Sequence, residues 1–177
     1  MKFDLQDAVA LLTRTPATLD ALLRGLPEPW VRANEGESTW NAAEVVGHLI
    51  HSERINWVPR ARWILEFGES EPFPPFERLT KPGERLENLL EEFASMRRDS
   101  IAGLESMLLG PEDFERKGRH PTFGEVTLSQ LLATWVAHDL THLHQISRIL
   151  AHQYREAVGP WSRFLGVMQC SGHSSAA

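Results

Sequence analysis

The strongest constraint on the fold of this chain is a three-four spacing of apolar residues that recurs in four long segments. The spacing places apolar side chains along one face of a helix, and Pro or Gly residues separate the segments. The segments cover residues 4–26, 38–67, 83–109 and 127–154. We find no sustained two-residue alternation, which would indicate β-strands. The pattern predicts an all-α four-helix bundle in one domain over residues 1–170, with a polar tail at 171–177.

Prolines inside these segments predict where the helices bend or restart. Pro16 predicts a restart within the first segment, and Pro59 predicts a kink halfway along the second. Ser38 or Thr39 is expected to cap the second helix at its N-terminus. A short fifth helix near the C-terminus is predicted over residues 161–168.

Composition limits the partners of the chain. Lys and Arg number 18 against 24 Asp and Glu, and nucleic-acid binding relies on clustered positive charge, so no nucleic-acid role is predicted. No stretch approaches the roughly 20 apolar residues that span a bilayer. Asp4 and Asp7 interrupt what would be the apolar region of a signal peptide. The single cysteine, Cys170, fits a reducing compartment. We therefore expect a cytoplasmic protein with no membrane partner.

A histidine pair marks the candidate site. His138 and His142 are four residues apart on the apolar stripe of the fourth helix, about 6 Å apart along its axis. A buried imidazole costs free energy unless its nitrogens have partners, and a metal ion would serve both rings. His48, between Val45 and Leu49 on the second helix, is expected to point inward as well. An HxxxH pair also occurs on helices that bind no metal, so the inference requires the two helices to be neighbours.

Three histidines from two helices leave at least one coordination position for water or substrate, which is the ligand count of catalytic zinc sites. Glu44, one turn before His48, is a candidate general base or orienting group. Its alternative role is that of a first-turn acid favoured by the helix dipole. Asp139 is expected to make a surface contact, and Gln145 to reach the mouth of the site. His120 is expected to be exposed in a loop.

Two sequence blocks resemble the DinB-like family over nearly the full length of the chain. The block TWNAAEVVGHLIHSER fits the family pattern W-x-x-x-E-x-x-x-H-L, and the block HDLTHLHQI fits H-D-x-x-H-x-x-Q. The matching residues are Trp40, Glu44, His48 and Leu49 in the first block and His138, Asp139, His142 and Gln145 in the second. The resemblance implies a four-helix bundle and one divalent metal ion at the three histidines, zinc or nickel first, with iron or manganese as alternatives. It also implies a homodimer.

The resemblance implies a thiol-dependent transferase or isomerase that uses a low-molecular-weight thiol. The chemistry of the site also suits a hydrolase, because three neutral imidazoles leave a metal its full charge, which favours ionisation of either a water or a thiol. Either nucleophile would attack a small-molecule substrate. The alternative is a non-catalytic, metal-stabilised binding or structural protein, since metal binding stabilises a folded state without turnover.

Overall fold

Four helical arms build the bundle in the computed structural model, which describes residues 2–76 and 79–170. The first arm is α1 (Leu5–Leu12) and α2 (Thr15–Leu23), the second is α4 (Ala42–Ile55) and α5 (Trp57–Phe67), and the third and fourth are α6 (Leu86–Glu105) and α7 (Leu128–His152). The short α3 (Glu28–Arg32) connects the first two arms. The all-α four-helix prediction is confirmed. No helix within the described ranges is long and apolar enough to cross a membrane.

The helix breaks lie near the prolines, and one of them differs from its predicted position. The first arm restarts at Thr15, with Pro16 in the first turn of α2, as predicted. The second arm breaks at Asn56 rather than at Pro59, because a proline lacks a donor for the carbonyl four residues earlier and its ring clashes with that carbonyl. The last residue of α4, Ile55, occupies that earlier position. A proline therefore disrupts the turn that precedes it.

The N-terminus of α4 corrects one prediction. Neither Ser38 nor Thr39 caps the helix; the cap is Asn41, whose side chain accepts a hydrogen bond from the backbone N–H of Glu44 at 2.9 Å. Ser38 instead adopts a backbone φ of 60° in the preceding turn. At the C-terminus, the predicted fifth helix is a 3-10 helix (Gly159–Phe164) followed by the four-residue α8 (Gly166–Gln169). The predicted tail at 171–177 lies outside the described residues.

Two apolar clusters fill the bundle, with polar residues between them. One cluster joins α2, α4, the start of α6 and the end of α7, and the other joins α1, α5, the end of α6 and the start of α7. Between the clusters, polar residues interrupt the apolar stripes of the second, third and fourth arms at the same level. We call this the polar layer, and its buried members are His48, Ser52, Glu53, Asn56, Arg97, Ser100, Asp139, His142 and Gln145.

A small hairpin before α7 was not predicted. Strands β1 (Lys117–His120) and β2 (Gly124–Thr127) pair antiparallel, with Arg119 opposite Glu125. Each strand has only four residues, too few for a recognisable alternation. The backbone N–H of Phe73 donates to the Arg119 carbonyl at 2.9 Å, which joins the connection after α5 to this hairpin. A Cβ on Gly118 would stand 2.7 Å from Ile64, so glycine lets the hairpin lie close against α5.

Candidate metal centre

Three imidazoles meet between α4 and α7. The Nε2 atom of His48 lies 3.2 Å from Nε2 of His138, which in turn lies 3.1 Å from Nε2 of His142. One ring nitrogen from each histidine falls within 4.8 Å of the others. The structure therefore brings together the three residues that the sequence pointed to, and α4 and α7 are neighbours.

The donor set fits a divalent metal ion. Two nitrogens bound to one ion at about 2.0–2.1 Å lie roughly 2.9–3.4 Å apart for tetrahedral to octahedral angles. The two Nε2 separations, 3.2 Å and 3.1 Å, fall inside this range. Neutral imidazole is a ligand that zinc, nickel, iron and copper all accept. That an ion binds here stays a prediction.

Gln145 orients one of the three rings. Its side-chain oxygen lies 2.7 Å from Nδ1 of His142. An amide oxygen only accepts, so Nδ1 carries the proton and Nε2 keeps its lone pair toward the other two histidines. The prediction that Gln145 reaches the mouth of the site was wrong. Its side chain is buried and lies behind the His142 ring. A hydrogen bond of this kind fixes the tautomer that a metal ligand needs.

Glu44 takes part in the first turn of α4. Its Oε2 accepts from the backbone N–H of Asn41 at 2.9 Å, which completes a capping box. This contact fits the alternative role predicted for Glu44, that of an acid in the first turn of the helix. Its other carboxylate oxygen takes no part in the cap. A role for Glu44 as a base stays a prediction.

A buried ion network adjoins the three histidines. Arg97 of α6 donates to Glu53 Oε1 from Nη2 at 2.7 Å and to Asp139 Oδ2 from Nη1 at 2.6 Å. Thr15 adds a 2.6 Å hydrogen bond to Asp139, and the indole of Trp135 adds one of 2.9 Å to Glu53. Burial opposes the charged form of Arg97, but the two carboxylates outweigh it and raise the pKa of the guanidinium above its ordinary value. Asp139 is thus buried and ion-paired, which corrects the predicted surface contact.

This network ties together the arms that carry the histidines. Arg97 also donates to the Leu12 carbonyl at the end of α1, at 2.7 Å, so one side chain joins all four arms. Arg97 and Glu53 were not predicted as part of the site. Their signal was available, because Arg97 stands four residues from Phe93 and from Ile101 on the apolar face of α6. A charged residue at such a position requires a buried partner of opposite sign.

A cavity of about 690 Å³ opens onto the three histidines. This volume is typical of small-molecule sites. Most of the wall area is apolar. The apolar residues come from the segment before α4, from α5 and the connection after it, from the hairpin and from α7, and they include Trp40, Trp57, Phe73, Phe76, Phe123 and Leu131. Trp40 lines the cavity, whereas Trp135 packs in the core beside Trp57. The hairpin, read as a loop in the sequence, thus closes one side of the cavity.

The other described histidines do not belong to the three-imidazole group. His51 packs at the rim, with its ring centroid 5.7 Å from that of Phe76. His144 is exposed on α7. His120, expected to be exposed, is half-buried and lines the cavity, because the hairpin folds it against Phe73.

Comparison with known proteins places the chain among related folds. A family model described as the DinB superfamily matches residues 11–146. The solved structure of YfiT from Bacillus subtilis, described as a probable metal-dependent hydrolase with an unusual four-helix bundle topology, matches with a TM-score of 0.72 and 21% identity, over 84% of this chain and 86% of YfiT. TT2238, described as a four-helix bundle protein, matches with a TM-score of 0.56 and 20% identity, over 80% of this chain and 97% of TT2238. No curated protein sequence matches significantly.

Proposed function

Because this chain belongs to the DinB superfamily, we propose that it is a metal-dependent hydrolase that acts on a small molecule. His48, His138 and His142 would hold one divalent ion, zinc or nickel first. YfiT, which shares the fold, is described as a probable metal-dependent hydrolase. The proposal extends that description to this chain on the basis of its own residues.

One observation carries the proposal: the three histidines converge on the wall of a cavity. All three line the 690 Å³ space. Within the described ranges, the group of potential metal ligands contains these three side chains and no fourth His, Cys, Asp or Glu. A structural zinc site is closed by four protein ligands, whereas a catalytic site keeps a position for water or substrate. The arrangement therefore favours catalysis over a purely structural ion.

The surrounding side chains would have separate roles near the open coordination position. When bound, a divalent ion acts as a Lewis acid that favours ionisation of a nucleophile. Gln145 holds the His142 ring in the ligating tautomer, and the buried Arg97 network fixes α4 and α7 relative to each other. Trp40 and Trp57 are buried in the cavity wall and would reduce the water around a bound substrate, which would strengthen electrostatic interactions there. Glu44 is the candidate general base.

The proposed reaction has two forms, which differ in the nucleophile. Water attacking an ester or amide gives a hydrolase, and a low-molecular-weight thiol attacking a small electrophile gives a transferase or isomerase, as the family resemblance implies. The same assay run with and without an added thiol distinguishes them. We further propose a cytoplasmic homodimer, which sedimentation at micromolar concentration would distinguish from a single 20.1 kDa chain.

The first experiment measures metal content and activity together. Protein purified without an affinity tag is analysed by mass spectrometry of its metals and then assayed on a panel of small esters and amides. We expect about one divalent ion per chain, since three imidazoles form one site. Chelation should abolish turnover, and the readded ion should restore it.

Two histidine variants on one helix make the test specific. His138→Ala removes a central ligand and should abolish both metal binding and turnover. His144→Ala removes an exposed histidine six residues further along α7 and should leave both unchanged. Equal metal content in the two variants would refute the proposed site. Metal bound without turnover on any substrate class would support the non-catalytic alternative.

A further inference from the structure

Arg60 is a buried arginine that has no carboxylate partner among the described residues. It lies on α5 and is 7% exposed. Within the described ranges, its hydrogen-bonding partner is the Pro74 carbonyl, which accepts from Nη2 at 3.3 Å, and no Asp or Glu oxygen lies within ion-pair distance. A guanidinium has five N–H donors, and a buried charge normally has a counter-ion. Burial lowers the pKa of Arg60, with no offsetting carboxylate.

The position of Arg60 connects it to the metal centre. Arg60 lines the same cavity as the three histidines. Its Cζ lies 4.9 Å from the ring centroid of Phe73 and 5.9 Å from that of Phe76. The Phe76 ring is in turn 6.2 Å from the His48 ring. One aromatic side chain, Phe76, therefore lies near both the guanidinium and His48, and all three residues line one cavity.

The described part of the cavity wall carries charge of one sign. Among the described residues that line the cavity, Arg60 is the one Lys or Arg, and none is Asp or Glu. His120 adds no charge at neutral pH, because burial and then the nearby Arg60 lower its pKa. Its Nδ1 also accepts from the backbone N–H groups of Thr122 and Phe123, at 3.1 and 3.3 Å. Those contacts require an unprotonated Nδ1.

We propose that Arg60 binds a carboxylate of the substrate, so that the enzyme acts on small aromatic or aliphatic acids. One guanidinium balances the charge of one carboxylate, which supplies the counter-ion that a buried cation requires. The fork of Arg matches a carboxylate with two parallel hydrogen bonds. The aromatic walls would hold the apolar body of the molecule. The inference rests on the proposed function only in that the bound acid is taken to be its substrate.

The test compares acids with uncharged analogues. Benzoate, phenylacetate and 3-phenylpropionate, each with its primary amide, are titrated calorimetrically into metal-free protein at about pH 8. We expect at least one acid to bind about tenfold or more tightly than its amide, the effect of one charge-assisted hydrogen bond. Arg60→Met should remove this preference while the amides bind as before. Arg62→Met, which removes an exposed charge from the same helix, should keep it.

The outcomes separate this inference from the metal proposal. An acid preference that survives in Arg60→Met, or no binding of any acid to the wild-type protein, would overturn the role of Arg60. A preference that appears only after metal is added, equally in both variants, would place the carboxylate on the ion and would also overturn it. A preference that depends on Arg60 in a protein that binds no metal would uphold the inference and refute the metal site. Arg60→Lys keeps the charge without the fork and should show a reduced preference, which provides a second test should Arg60→Met fail to fold.

Discussion

At the scale of single residues, the orientation of His142 depends on one amide. Gln145→Leu keeps the size of the side chain but removes the oxygen that accepts from Nδ1. Both tautomers then become accessible, and the ring loses its fixed orientation. We expect metal affinity to fall about 10–100-fold, measured by competition with a chromophoric chelator. Gln145→Glu restores an acceptor and should restore affinity. Equal affinity in all three proteins would show that the hydrogen bond is irrelevant to metal binding.

Glu44 can be tested at the same scale because its two roles separate. Glutamine also completes a capping box at this position of a helix, so Glu44→Gln preserves the contact with Asn41 and removes only basicity. Metal content and thermal stability should therefore stay close to wild type. With Glu44 as general base, turnover falls by about 10²-fold or more. Wild-type turnover would limit Glu44 to the helix cap.

At the scale of helices, the sequence predicted the arms and the three histidines because both follow from local spacing. The apolar stripe of α7 is interrupted by His138 and His142 at positions that face the core. The pairing of Arg97 with Asp139 could not be predicted in the same way, because it depends on which arms adjoin. The hairpin at 117–127 was missed since its strands are shorter than a recognisable period. Features that depend on contacts between distant segments, such as this ion pair, thus cannot be predicted from local patterns.

The stability of the bundle should depend on one arginine of the polar layer, Arg97. Replacing Arg97 with Met leaves Glu53 and Asp139 buried without their cation. Breaking a buried ion pair from one side costs about 3–5 kcal/mol, so we expect a loss of this size in the free energy of unfolding, measured by urea denaturation. Arg98→Met, at the exposed neighbouring position, should change it by about 0.5 kcal/mol or less. A similar effect of the two variants would show that the network contributes little to stability.

At the scale of the whole molecule, the proposed metal site would join two arms that are far apart in the sequence, so metal binding should be linked to folding. His48 comes from α4, whereas His138 and His142 come from α7, and an unfolded chain does not hold the three together. An ion at 100 times its dissociation constant stabilises the folded state by about 2.7 kcal/mol. For a domain of this size, that corresponds to a rise in Tm of about 5–11 °C.

This rise can be measured by calorimetry of chelated protein before and after addition of zinc or nickel. His138→Ala should show no metal-dependent rise, because two imidazoles remain and the ion loses one of its three ligands. His144→Ala should show the full rise, since its side chain is exposed and does not belong to the three-histidine group. The comparison controls for ions that bind elsewhere, which would raise Tm equally in both variants. The same Tm with and without metal in the wild-type protein would contradict a metal centre that links α4 to α7, whatever reaction the protein catalyses.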